Sequence, residues 1–140
     1  MSGIQMALMG SRSSSSPALA TYTLTTGNIG TAGNRYRGFD DGSFATGVIG
    51  SISPTTFTLN GGTTFKTLLY DEAALQYVLR NLGGTNSGWT TMYVDATAFT
   101  RTAMTYTFTG GVSSWVINTS DTISTQVFGA ASTNHTITFY

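Results

Sequence analysis

The sequence predicts an all-β protein, an antiparallel β-sandwich of Ig-like or jelly-roll-like type with a short extended N-terminal docking arm. From Thr21 onward, apolar side chains alternate with polar ones, mostly threonine, as they do on half-buried strands. Glycine and asparagine turn signals separate the apolar runs. Charged residues supply only 9% of the chain, so outward strand positions carry short hydroxyl side chains instead.

The first segment, residues 1–20, is predicted to be a docking arm, and residues 21–140 to be the sandwich domain. Its apolar stretch is too short for a signal sequence or a membrane span, so we expect no membrane insertion. One interpretation is a frayed leader. The other is a docking peptide that inserts four side chains into a partner and uses Ser13 to Ser16 as a link. The four predicted docking residues are Ile4, Met6, Leu8 and Met9.

The predicted strands follow the apolar alternation along the chain. Their apolar positions are Tyr22 and Leu24, Phe65 to Leu69, Leu75 to Leu79, Met92 and Val94, Met104 to Phe108, Trp115 and Ile117, and Ile137 and Phe139. Turn signals fall between them at Asp41-Gly42, Asn60-Gly61-Gly62, Gly83-Gly84, Asn86-Ser87-Gly88 and Gly110-Gly111. Pro54 predicts a turn or a sheet edge.

Residues 70–82 fit two secondary structures. The spacing of Leu75, Val78, Leu79 and Leu82 is also helical, and the acids before them would suit a first helical turn. We favour a hairpin, in which a tight turn at Asp71 to Ala74 joins two strands.

Composition excludes several classes of protein. The formal net charge is zero and Lys66 is the only lysine, so no basic patch predicts nucleic-acid binding. The absence of cysteine excludes disulfides, thiolate metal sites and cysteine nucleophiles. Zero net charge promotes association, which a part docked in an assembly tolerates.

Candidate catalytic and metal-binding residues are sparse. His135 is the only histidine and no nucleophile-elbow motif accompanies it, so a structural or surface role is favoured over a triad. Asp40 and Asp41 lack the spaced acids of a calcium loop, so a turn is favoured there. The acids show no spacing typical of glycoside hydrolases. We therefore predict no catalytic residues, no metal site and no cofactor.

The aromatic residues allow a binding hypothesis. Tyr36, Phe39, Trp89, Tyr93 and Trp115 could form a sugar-stacking platform, although large aromatics more often fill cores and the core interpretation is favoured. If a platform exists, Tyr36, Trp89 and Tyr93 are the predicted glycan contacts. The corresponding alternative function is a carbohydrate-binding module that contacts host surface glycans.

A set of motifs in fixed order resembles the β-sandwich module of tailed-phage virion proteins. The set spans roughly Thr21 to Trp115. Its members are Gly38-Phe39, Gly50-Ser-Ile-Ser-Pro54, Leu69-Tyr70-Asp71, the alternating Leu75–Leu82, Gly88-Trp-Thr-Thr-Met-Tyr-Val94, Phe99-Thr-Arg101, Ala103 to Tyr106, and Trp115. The resemblance implies a non-enzymatic tail-fibre or head-decoration protein, located in the virion and assembled in the host cytoplasm. It also implies other virion proteins and copies of the chain itself as partners.

Overall fold

Two antiparallel β-sheets pack face to face. The fold comes from a computed structural model that describes residues 17–30, 35–45, 47–59, 63–82 and 88–140. The described residues form twelve strands: β1 Ala20–Thr25, β2 Gly27–Ile29, β3 Tyr36–Asp40, β4 Ser51–Ser53, β5 Thr58–Leu59, β6 Thr63–Asp71, β7 Gln76–Leu82, β8 Thr91–Val94, β9 Thr97–Thr100, β10 Thr105–Thr109, β11 Val112–Asn118 and β12 Asn134–Phe139.

The two sheets differ in width. One has five strands in the order β4-β1-β12-β8-β9, and the other has seven, in the order β10-β11-β7-β6-β3-β2 with β5 paired to the start of β6. Every pairing between these strands is antiparallel. The predicted all-β antiparallel sandwich is thereby confirmed.

Aromatic side chains dominate the core between the sheets. The rings of Phe65 and Phe139 stack across it with centroids 5.1 Å apart. Trp89 and Trp115 meet edge to face at 5.4 Å. Each such aromatic contact adds about 0.5–1.5 kcal/mol beyond area burial.

Residues 70–82 form the predicted hairpin and not a helix. β6 ends at Asp71 and β7 begins at Gln76, so the turn lies one residue later than predicted. Leu75, expected at the start of the second strand, instead closes the turn with a φ of 54°. Tyr77, Val78 and Leu79 are consecutive and all buried, because a central strand covered on both faces buries both sets of side chains.

A long loop between β11 and β12 closes one end of the sandwich. The hydroxyl of Tyr77 donates to the carboxylate of Asp121 and accepts from Val127 N–H, and the Tyr70 hydroxyl donates to the Asp121 carbonyl. Burial, followed by the Asp121 carboxylate, raises the pKa of the Tyr77 phenol. Phe128 from this loop is fully buried in the main core. The loop is therefore part of the packed body.

The N-terminal strand starts just inside the range predicted for the arm. β1 begins at Ala20, and Leu19 N–H donates to the Phe139 carbonyl at 2.8 Å. Ile4, Met6, Leu8 and Met9 lie outside the described residues, so their docking role stays a prediction.

Three glycines allow the chain to cross between sheets. After β1 the backbone leaves the five-stranded sheet and enters the other as β2, and Gly27, Gly38 and Gly50 come into backbone contact at that step. A Cβ at Gly50 would lie 2.2 Å from the Gly38 carbonyl oxygen and 2.7 Å from that of Thr25. Gly50 also has a φ of +66°. Only glycine fits such a close approach.

The Gly50→Ala variant tests this crossing, with Gly110→Ala as its matched control. Gly110 has a φ of +61° but nothing within 4 Å of an added Cβ. We expect the control to lose about 1–2 kcal/mol of unfolding free energy, because alanine is strained at this positive φ. Gly50→Ala should lose at least about 3 kcal/mol of unfolding free energy, because the backbone at Gly38 and Thr25 must also move away from the added Cβ. Urea unfolding measures both, and equal losses would contradict the crossing.

Candidate functional site

Of the three predicted glycan contacts, Trp89 belongs to the core. Its side chain is 1% exposed, and so is that of Trp115, which confirms the core interpretation for both tryptophans. The guanidinium of Arg101 lies 5.2 Å from both ring centroids and donates to the Trp89 carbonyl at 3.0 Å. A ring enclosed in this way offers no face to a sugar, which corrects the glycan assignment of Trp89.

Tyr36 and Tyr93 lie on opposite sides of the sandwich. Tyr36 is on β3 and packs with Ile49, Leu69 and Val78 on the outer face of the seven-stranded sheet. Tyr93 is on β8 of the five-stranded sheet, where its neighbours Met92 and Val94 point into the core. The three aromatics of the sugar hypothesis therefore share no platform.

Asp40 and Asp41 organise a loop that covers the outer face of the seven-stranded sheet. The buried Asp40 carboxylate accepts from the N–H groups of Gly42, Phe44 and Ala45 and from the Thr67 hydroxyl, at 2.6 Å for the last. Asp41 pairs with Lys66 at 2.8 Å. These donors occupy the Asp40 oxygens that a calcium ion would need, which agrees with the predicted turn.

The remaining acids near the β6–β7 turn also have partners. Glu72 pairs with Arg35 and accepts from Ile123 N–H. Asp121 accepts from Tyr77. Among the described residues no three histidine, cysteine or acidic side chains gather as a metal site would require. Each of these acids ties one segment of the chain to another.

His135 stands in a hydrogen-bonded row that sequence reasoning missed. Its Nδ1 lies 2.6 Å from Asp95 Oδ2, and its Nε2 lies 2.9 Å from the Thr133 hydroxyl. A hydroxyl, an imidazole and a carboxylate thus stand in the order found in acyl-transfer triads. The residues are separated by up to 40 positions, and no short motif joins them.

The Thr133 hydroxyl is engaged structurally. Its oxygen also lies 2.8 Å from the Ala130 carbonyl and 3.1 Å from the Phe128 carbonyl. Thr133 N–H in turn donates to the Thr26 hydroxyl at 3.0 Å. Because a hydroxyl has one proton and these carbonyls only accept, the group secures the loop to the sheet and is not poised as a nucleophile.

The most exposed aromatic surface lies on β10. Tyr106 and Phe108 are 45% and 53% exposed, and all five residues of the strand are exposed. They pair with Trp115 and Ser113 of β11, whose side chains point into the core. We call the exposed side chains of Tyr106 and Phe108 the β10 face; the buried side chains of Ser113 and Trp115 lie beside them. It lies on the core side of a strand that the five-stranded sheet does not cover.

Contacts beneath the β10 face hold it in place. The Tyr106 ring packs on Trp115 at 5.2 Å, and its hydroxyl lies 2.9 Å from the Ser113 hydroxyl. Next to Ser113 on β7 is Asn81, which is fully buried and has no hydrogen-bond partner for either side-chain atom. The alternation of apolar and polar residues placed Tyr106 and Phe108 on one face of a strand, but it did not indicate that this face is exposed to solvent.

Comparisons with protein-family models, curated proteins and solved structures found no match. Over the part of the chain that the structure describes, no helix has the length and hydropathy to cross a membrane.

The Asp95–His135 contact is expected to stabilise the fold slightly, and this stabilisation is lost in acid. Partial burial disfavours the Asp95 carboxylate, but hydrogen bonds from His135 and Thr136 N–H outweigh it and lower the pKa of Asp95. A lowered folded-state pKa stabilises the fold above the ordinary value of about 3.9 and ceases to do so as pH falls through the folded value.

Asp95→Asn should therefore be less stable than wild type at pH 6, and the difference should shrink below pH 4. We expect less than about 1 kcal/mol, because half of the side chain is exposed. Urea unfolding of both proteins across this range measures the difference. A gap that stays constant or widens in acid would contradict it.

Proposed function

We propose that this chain is a non-enzymatic structural protein of a tailed-phage virion, held on the particle by its N-terminal arm. It serves as a head decoration or as a tail-attached knob. Its partners are other virion proteins and copies of itself. The observation that carries the proposal is the β10 face, an exposed and uncharged sheet edge with two aromatic side chains.

Such an edge is typical of a protein that associates with others. Soluble sandwiches commonly protect their edges with lysine, proline, bulges or very short strands. β10 has none of these, and no charged residue occurs between Thr105 and Asn118. The groups suited to chemistry among the described residues, His135 and the acids, are instead tied into loops. This arrangement supports association over catalysis.

The arm supplies the attachment in this proposal. Burying each of Ile4, Met6, Leu8 and Met9 in a partner contributes roughly 1.5–3 kcal/mol. Several copies around a symmetry axis multiply weak individual contacts by avidity. The sequence resemblance to phage virion modules leads in the same direction.

The carbohydrate-binding alternative gains no support from the predicted residues. Trp89 is buried, and Tyr36 and Tyr93 lie on different sheets. Tyr106 and Phe108 are exposed, but they lie on an edge strand, which is equally suited to pair with the backbone of another protein. We therefore retain the virion role as the proposal.

Deleting residues 1–10 should abolish incorporation into particles while the body stays folded. The body should stay folded because side chains from both sheets, from Tyr22 to Phe139, form the described core. Occupancy on purified particles, by quantitative mass spectrometry, measures incorporation, and urea unfolding checks the body.

Two full-length variants sharpen the test. Replacing Ile4, Met6, Leu8 and Met9 together by serine should act like the deletion. Replacing Ser13 to Ser16 by alanine keeps the arm length and should leave occupancy unchanged. Normal occupancy of the four-serine variant would refute the arm as the anchor.

A further inference from the structure

We propose that β10 pairs edge to edge with β10 of a second copy, joining two sandwiches through one continuous antiparallel sheet. The inference deepens the proposed function, on which its place in a particle rests. The pairing itself is a property of the isolated chain.

Among the edges of the two sheets, β10 is the best suited to pairing. β2 and β4 have three residues each, Pro54 follows β4, and β9 has four residues before the chain turns at Arg101–Ala103. β10 has five residues, all exposed, and pairs regularly with β11 along its length. No described strand lies on its other side.

The hairpin geometry sets which backbone groups face outward. Gly110 and Gly111 have φ values of +61° and +79° and form a two-residue turn closed by Thr109 and Val112. The closing pair of such a turn is hydrogen-bonded, and pairs alternate from there. Phe108 therefore occupies a pair without hydrogen bonds to β11, and its N–H and C=O point outward.

A symmetric pairing centred on Thr107 is self-complementary. It places Tyr106 of one copy opposite Phe108 of the other, and the two Thr107 residues opposite each other. Aromatic pairs and threonine pairs are both favourable across strands. A two-fold axis through Thr107 keeps the same faces together, so the four aromatic rings line one groove between the two bodies.

Charge also favours a second copy as the occupant. The net charge is zero, and the β10–β11 hairpin carries no charge that would repel its equivalent. The paired area is a single strand from each copy, so we expect a weak dimer, with a dissociation constant in the micromolar range.

Single-cysteine crosslinking tests the register, since the chain has no native cysteine. In full-length Thr107→Cys, the two Cα atoms would lie about 4.5 Å apart, within disulfide range. In the control, Thr109→Cys, they would be about 13 Å apart. We expect mild oxidation to give a disulfide dimer from the first variant and not from the second. Equal crosslinking of both, or of neither, would overturn the proposal.

Sedimentation of charge variants tests the surface independently. Phe108→Lys should raise the dissociation constant at least about tenfold. Val48→Lys is the matched control, because Val48 is a 68% exposed loop residue away from β10, and it should dimerise like wild type. If Phe108→Lys misfolds, the comparison of Thr107→Cys with Thr109→Cys still tests the proposal.

The two proposals can fail separately. Loss of crosslinking on deletion of residues 1–16 would assign dimerisation to the arm and overturn the β10 pairing. Crosslinking that persists, while arm variants keep normal particle occupancy, would refute only the arm as the anchor.

Discussion

The unequal width of the two sheets determines which inward-facing side chains remain exposed to solvent. A core of packed aromatic rings holds the five-stranded sheet against the middle of the seven-stranded one. The wider sheet therefore extends past its partner at β10. Tyr106 and Phe108 lie on the inner side of that extension, where apolar side chains belong in a sandwich, but no strand among the described residues covers them. Association surfaces arise readily at such positions.

Polar groups in the described residues act mainly as connectors. Asp40 ties the loop after β3 to β6, and the row from Asp95 through His135 to Thr133 ties β12 to the loop before it. The hydrogen bond from Tyr77 to Asp121 ties β7 to the loop between β11 and β12. In a chain with few charges, these buried or half-buried contacts offset the conformational entropy that ordering the long loops costs. The acids of these contacts therefore serve to hold the body together.

Sequence reasoning could predict the class of fold because strand alternation is a local property. It placed Tyr22 and Leu24, or Met92 and Val94, correctly on inward faces, and it favoured the β6–β7 hairpin over a helix. It misplaced Leu75 because alternation does not reveal where a turn needs a positive φ. It also assigned Trp89 a possible sugar contact.

The missed features depend on distant parts of the chain. Asp95 and His135 meet only because β8 and β12 are neighbours. The exposure of Phe108 depends on where the opposite sheet ends, which no pattern within β10 records. The crossing at Gly27, Gly38 and Gly50 likewise joins three separate strands or loops. These are consequences of topology, and a periodicity argument covers only one strand at a time.

Hydrogen–deuterium exchange at several protein concentrations tests whether β10 is the proposed association surface. The outward amide of Phe108 is predicted to exchange quickly in dilute protein and more slowly as concentration rises, while the edge strands β2, β4 and β9 keep constant rates. Exchange at β10 that does not depend on concentration, or slowing that appears equally at the other edges, would contradict pairing through β10.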